Sequence, residues 1–307
     1  MSRLNQALMA PRSVQKADMV IGDLTSGGRL NPEQSDTFFR KLIAQPTVIR
    51  IARTVPMSAP EREINKVGFG SRILRAGVSA TPLAAVDRSK PDLSKVLLQA
   101  KELIAEVRIP YDVLEDNIEG ENFSNTIMDL MAERAALDLE ELVFKGDTGS
   151  ADLFLKSFNG IAISATQNPV AGAGATSVRD VFKSMIINMP DQFLRNRAAM
   201  RFFLPIDMET NYRDETADRL TGLGDATIQG TAPVFGYGVP LEPCAMCPAG
   251  NIFLMDPKNV IIGYHRQVRV ETDRDITARI WIIVLTMRVG FVFEEVDAVV
   301  KATGVPF

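Results

Sequence analysis

The chain has 307 residues, with 34 Lys and Arg against 38 Asp and Glu and a net charge of −4. With that balance the whole molecule is no polycation of the kind that neutralises nucleic-acid phosphates over a broad face, although local basic patches are compatible with it, and 46% hydrophobic with 23% charged residues suits a globular protein of one large domain or two. Two cysteines, Cys244 and Cys247, exclude a disulfide framework and suit a reducing cytosol, while the longest apolar run, Ile280 to Leu285, is too short to span a bilayer. A soluble protein without a membrane partner is expected.

Met1 to Val20 lacks the continuous apolar core of a signal peptide. With the loop Thr25 to Gly28 behind it, this stretch reads as an arm. Asn31-Pro32-Glu33 opens a short helix, with a cap residue, a proline in the first turn and an acid at the positive end. Phe38, Phe39, Leu42 and Ile43 follow at helical spacing, and Pro46 closes the helix. A short strand is expected over Thr47 to Val55. The next segment, 56–100, changes character. Pro56, Pro60, Pro82, Pro91, Gly68, Gly70 and Gly77 alternate with Arg62, Lys66, Arg72, Arg75, Arg88, Lys90 and Lys95. Large apolar residues are sparse, so the segment suits a long exposed hairpin whose arms of about 20 residues would reach about 65 Å. A ribbon of that kind is not stable alone and needs a neighbour to lie on.

Strand character returns from Leu97 to Pro110. Asn122 to Lys145 is the clearest helix, with Phe123, Ile127, Leu130, Met131, Ala135, Leu139, Leu142 and Val143 on its apolar stripe and Gly146 as its stop. A turn-rich stretch, Thr166 to Ser177, precedes a helix near Val178 to Met189. A strand over Ala199 to Leu204 then leads into a helix near Ile206 to Arg213. Glycines 222, 224, 230, 236 and 238 punctuate the chain beyond that helix, so 160–250 reads as an inserted α+β lobe. The remainder is strand-like: Ile252 to Met255, Val260 to Gly263, Gln267 to Thr272, Thr277 to Met287 and Gly290 onward. A turn at Thr272-Asp273-Arg274-Asp275 divides the two longest strands.

No catalytic constellation assembles from these residues. Cys244-Ala245-Met246-Cys247 has the spacing of half a zinc site, but there is no second cysteine pair, and the single histidine, His265, cannot complete the set. Asp147-Thr148-Gly149 matches the tripeptide of aspartic proteases, yet it follows a helix end rather than an apolar strand. Gly172-Ala173-Gly174 and Gly68-Phe69-Gly70 lack the Gly-Lys-Ser/Thr ending of a phosphate loop. No enzyme activity, metal or cofactor is expected.

The order of elements is more informative than any motif. Its segments are Gly27-Gly28-Arg29-Leu30-Asn31-Pro32-Glu33, Lys101-Glu102-Leu103 through Ile109-Pro110, Leu114-Glu115-Asp116-Asn117, and Ala135-Ala136-Leu137-Asp138-Leu139-Glu140-Glu141 leading to Lys145-Gly146-Asp147. Tyr212-Arg213, Leu223-Gly224-Asp225, and Asp256-Pro257-Lys258-Asn259 before Gly263 complete the set. In this order they resemble the tailed-bacteriophage major capsid protein family, whose shell fold is named after phage Hong Kong Ninety-Seven. The resemblance implies an α+β capsid fold in four parts. These are an N-terminal arm and short helix over 1–46, and an extended hairpin loop with flanking strands over 47–110. A peripheral domain over 111–159 and 251–307 has a spine helix at 122–145, and an axial domain covers 160–250.

It further implies a shell protein that assembles with itself into pentamers and hexamers of an icosahedral head. The head encloses double-stranded DNA without sequence-specific contact and is built in the bacterial cytoplasm. A scaffolding protein, a portal and a decoration protein are the expected partners; with no room for a scaffolding segment ahead of the arm, either the scaffold is separate or the chain begins after a cut. Arg62, Lys66, Arg72 and Arg75 on the loop are candidates to meet Glu115, Asp116, Glu119 and Glu121 of a neighbour. Some relatives crosslink through an Asn just past an Asp-Arg-Asp turn. Here Ile276 follows Asp273-Arg274-Asp275, so no self-crosslinking is expected. Two rivals remain: a nanocompartment shell of the encapsulin type, and a metal- or thiol-dependent enzyme built on Cys244, Cys247 and His265.

Overall fold

The computed structural model describes residues 47–69, 72–77, 82, 84, 86, 88–111, 123–217 and 234–306. In chain order its main elements are α1 (Thr47–Ile51), β1 (Arg53–Pro56), β2 (Glu61–Gly68), β3 (Asp92–Gln99), β4 (Lys101–Pro110), α2 (Phe123–Lys145) and α3 (Ile161–Ser164). Then come β5 (Pro169–Ala171), α4 (Val178–Asn188), β6 (Arg201–Pro205), α5 (Ile206–Ala217), β7 (Phe235–Gly236), β8 (Val239–Cys244), β9 (Ile252–Met255), β10 (Val260–Asp275), β11 (Ile280–Phe293) and β12 (Val299–Thr303).

The segment expected as one strand from Thr47 to Val55 divides into a helical turn and a strand. Consecutive Val48 and Ile49 are both buried in the same core. A strand would send them to opposite faces, whereas a helical turn turns both inward. The Ala52 N–H closes that turn on the Val48 carbonyl at 2.9 Å. Strand β1 then runs parallel to β10 at the edge of a four-stranded sheet of order β1-β10-β11-β4.

A second sheet of six strands, order β5-β12-β9-β6-β8-β7, lies between two cores. Alternation along its strands decides which side chain serves which core. Phe203, Phe253 and Met255 enter the first core, with α2 and the inner face of β11. Their chain neighbours Phe202, Leu204, Ile252 and Leu254 enter the second, with α4 and α5. In that second core the Phe182 ring meets Phe202 at 4.5 Å between centroids and Tyr212 edge-on at 5.1 Å. The expected division at residue 250 falls between β8 and β9, which are both strands of this sheet, each paired with β6.

Helix α2 has 23 residues, so it is about 35 Å long. Ala132, Ala136, Leu139, Leu142 and Val143 are buried. Ion pairs Arg134–Asp138 at 2.9 Å and Glu141–Lys145 at 3.0 Å lace its wetter side. It ends at Gly146, whose N–H bonds the Leu142 carbonyl and whose own carbonyl accepts from Gly160. A Cβ on Gly146 would run into the Phe158 and Leu142 carbonyl oxygens, so only glycine fits that corner.

The last third holds two corrections. Strands expected to break at Gly263 and before Gly290 are continuous: β10 runs 16 residues, with irregular register between Tyr264 and Arg269, and β11 runs 14. The turn lies at Ile276–Arg279 rather than at 272–275. Asp275 starts it, its carboxylate accepting from the N–H groups of Thr277 and Ala278 at 2.9 and 3.0 Å. Asp273 and Arg274 therefore belong to the ladder, opposite Ile282 and Trp281. Ile276 stands at the tip, 81% exposed.

Candidate inter-subunit surface

Strands β2 and β3 form a separate two-stranded ribbon, in register from Glu61↔Gln99 to Gly68↔Asp92. Each strand has eight residues, about 26 Å, which is shorter than the arms expected from sequence. Gly68, Gly77, Pro82 and Pro91 explain the end of regular pairing, since glycine weakens a ladder and proline cannot donate to it.

The root of the ribbon is socketed in the four-stranded sheet. Gly263 and Gly290 are direct cross-strand partners in β10 and β11. A Cβ on Gly263 would meet the Leu98 side chain and Met57 Sδ, and one on Gly290 would strike the Gln99 carbonyl. The paired glycines thus clear a space into which the fully buried Leu98 is set. The Ala100 N–H bonds the Pro60 carbonyl at 2.8 Å and closes the base.

Alternation gives the ribbon two unlike faces. Leu98, Ile64 and Lys66 share the face toward the body, and Leu98 and Ile64 join a small core with Val55, Met57 and Ile261. The opposite face carries Val67 and Leu93, direct cross-strand partners 68% and 77% exposed, with half-exposed Leu97 farther along the same face, past Lys95. Polar cross-strand contacts hold the pairing: Lys95 to Glu63 at 2.6 Å and Gln99 to Glu61 at 2.9 Å. An apolar patch on an outward face is unusual for a ribbon bathed only by water.

The loop cations expected to face a neighbour fall on this ribbon and the turn region beyond it. Arg62 donates to the Pro56 carbonyl at 2.7 Å, near the root. Lys66 reaches its own chain, donating to the Glu294 carbonyl at 2.7 Å and lying 2.5 Å from the Glu295 carboxylate. Arg72 and Arg75 lie past the end of β2, where the Arg72 carbonyl accepts from the Ser89 hydroxyl at 3.4 Å. The acids proposed to meet them, Glu115, Asp116, Glu119 and Glu121, lie outside the described residues, as do residues 1–46. Sequence reasoning missed the Leu98 socket and the Glu294-Glu295 seat. The two glycines in apolar strands were the available signal.

The alternative thiol site takes a different form. Cys244 and Cys247 are both buried in the first core, and their thiols donate to the carbonyls of Glu242 at 3.4 Å and Asn251 at 3.8 Å. Burial, and then the Glu140 carboxylate, push both thiols well above the usual range. A thiol held in its protonated form is a poor nucleophile and a poor zinc ligand. His265 lies on β10. Among the described residues no group of three or more His, Cys, Asp or Glu is placed to hold a metal, and no helix is long and apolar enough to cross a membrane.

Comparison with known proteins gives a consistent result. The model of the Phage capsid family matches residues 27–304. The putative prophage capsid protein YqbE of Bacillus subtilis (strain 168) is 42% identical over 300 residues, covering 94% of this chain and 96% of that protein. Among solved structures, the satellite phage P4 procapsid including its size determination protein aligns at a TM-score of 0.66 and 15% identity, over 98% of this chain and 95% of that one. The capsid of an empty GTA particle aligns at 0.59 and 16%, over 99% and 97%, and Mycobacterium phage Cain at 0.60 and 14%, over 99% and 98%. At these identities the structures speak for the fold.

Proposed function

The chain belongs to the phage capsid family, and from that membership we infer how it works: it is a major capsid protein whose copies form an icosahedral phage shell. It is a structural protein of the virion. Its task is repeated adhesion rather than catalysis. Closed symmetry multiplies contacts that are each modest, because every subunit makes the same set and ring closure couples them. Pentamers and hexamers are the rings this reading requires, with residues 160–250 toward their axes. The peripheral part, 111–159 and 251–307, surrounds helix α2 as a spine.

The observation that carries the reading is the outward face of the ribbon. Val67, Leu93 and Leu97 share one face of the ribbon and are left largely uncovered by the described residues of their own chain, Leu93 most of all at 77% exposed. A neighbouring copy lying under that face covers them, as burial of apolar area favours. Arg62, Arg72 and Arg75, with Lys66, then meet the acids Glu115, Asp116, Glu119 and Glu121 of the neighbour. The packaged double-stranded DNA is held without sequence readout, which a chain of net charge −4, no polycation as a whole, suits. A separate scaffolding protein, a portal and a decoration protein complete the partners, and assembly takes place in the bacterial cytoplasm.

Negative-stain electron microscopy with light-scattering mass, on the chain alone and with its scaffold, tests the whole proposal. Closed shells or five- and six-fold rings are expected, and shells of an Arg62→Ala/Arg72→Ala/Arg75→Ala variant should assemble less and lose salt sensitivity. A monodisperse 33.7 kDa monomer under every condition would overturn the reading.

A further inference from the structure

Beyond its root, the ribbon has a second fixed point on its own subunit. Lys66 is five residues past Glu61, so it stands about 17 Å farther along the strand. Alternation places it on the body-facing side with Ile64 and Leu98. Its side chain is only 23% exposed, and its ammonium holds both the Glu295 carboxylate and the Glu294 carbonyl.

The seat that receives it is built rather than incidental. Asn259 is buried, and its side-chain amide brackets the Glu295 backbone. Nδ2 donates to the Glu295 carbonyl at 2.7 Å, and Oδ1 accepts from the Glu295 N–H at 2.7 Å. The Asn259 carbonyl accepts from the Glu294 N–H at 2.9 Å. Asn259 itself ends a one-turn helix capped by the Asp256 carboxylate at 2.9 Å to the Lys258 N–H. Arg53 takes the Glu294 carboxylate at 3.1 Å, which leaves the Glu295 carboxylate to Lys66. Around this point the ribbon and the body enclose a cleft of about 910 Å³, with Asn65 and Phe69 on one side and Phe193, Arg195 and Asp256 on the other. The pair therefore bridges an otherwise open gap.

We propose that Lys66 on Glu295 is a latch by which each subunit holds its ribbon against itself until a neighbour takes it. The inference rests on the reading of the ribbon as an inter-subunit element. Two fixed points, the Leu98 socket and the Lys66 latch, set the ribbon's direction, and releasing the second leaves a lever hinged at the first. A partly exposed ion pair with one added charge-assisted hydrogen bond is weak enough to open and strong enough to bias the closed position. The latch keeps the exposed Val67 and Leu93 end from wandering before assembly, and opening it frees the Lys66 charge for a neighbour's acid.

The test uses the full chain kept below its assembly concentration. Amide exchange is followed over 61–68 and 92–99 in the wild type, Lys66→Gln, Lys66→Glu, Glu295→Lys and the reversed pair Lys66→Glu/Glu295→Lys. Each single change should speed exchange of the ribbon by about fivefold while leaving the cores protected, and the reversed pair should restore it. Shell formation is then measured with scaffold added: Lys66→Gln should shift its rate while thermal melting stays unchanged. Unaltered ribbon exchange in the single variants, or no rescue in the reversed pair, would overturn the latch. Exchange that follows this pattern in a wild type that never forms shells would instead overturn the shell reading and leave the latch standing.

Discussion

Two hairpins of this molecule obey the same alternation and end in opposite situations. In β11 every second residue from Trp281 to Phe293 is inside: Trp281, Ile283, Leu285, Met287, Val289, Phe291 and Phe293 all enter the first core beneath α2. In the β2–β3 ribbon the inward face covers little more than Ile64 and Leu98, while Val67, Leu93 and Leu97 on the other face stay exposed. The first hairpin finds both its layers within the chain. Among the described residues the second has one layer and half of another, and under the proposed function a neighbouring copy supplies the rest. Burial, not strand propensity, separates a scaffold strand from an assembly strand.

The largest expected effect comes from the scaffold side of that comparison. Ile283→Ala removes a fully buried side chain beneath α2, and should cost about 2–5 kcal/mol of stability through lost transfer energy and the cavity left behind. Chemical denaturation of the unassembled subunit measures it. A cost below about 0.5 kcal/mol would mean that β11 is not the inner layer described.

A smaller effect is expected where the two hairpins meet. Gly290→Ala places a methyl group against the Gln99 carbonyl at the ribbon's root, a backbone atom that cannot swing aside as a side-chain tip would. The added carbon should cost about 1–3 kcal/mol and loosen the root, so ribbon amides exchange faster than core amides. If instead the loss were spread evenly over β10 and β11, the glycine pair would be serving those strands alone and not the ribbon.

These positions also mark how far the sequence could be read. The helix expected over Asn122 to Lys145 is described over Phe123–Lys145, and its end was legible because its apolar stripe and its glycine stop agree. The exposed ribbon was legible from its prolines, glycines and cations, and the order of elements pointed to the capsid fold. What escaped depends on contacts between distant segments. Gly263 and Gly290 read as strand breaks because local pattern sees only the missing side chain, not Leu98 filling the space it leaves. Val48 and Ile49 read as strand because a single buried turn has no period to recognise. For the candidate contacts, sequence named the loop cations but could not show the seat of Lys66, since Glu294 and Glu295 lie 228 and 229 positions away and are held by Asn259.

The smallest effect on the isolated subunit should be the most informative about assembly. Leu93→Ala alters a side chain that is 77% exposed and has no core around it, so the subunit's stability should change by no more than about 0.5 kcal/mol. Under the proposed function the same leucine lies beneath a neighbour in the shell, and truncating it withdraws buried apolar area at every copy of the contact. Because contacts are repeated, a loss too small to register in one subunit accumulates across a closed particle. Denaturation of the subunit and light scattering of the assembling shell should therefore part company: an unchanged midpoint beside a raised concentration threshold for assembly. If Leu93→Ala left both unchanged, the outward face of the ribbon would have no cover in the particle, and the contrast between the two hairpins would be one of exposure alone.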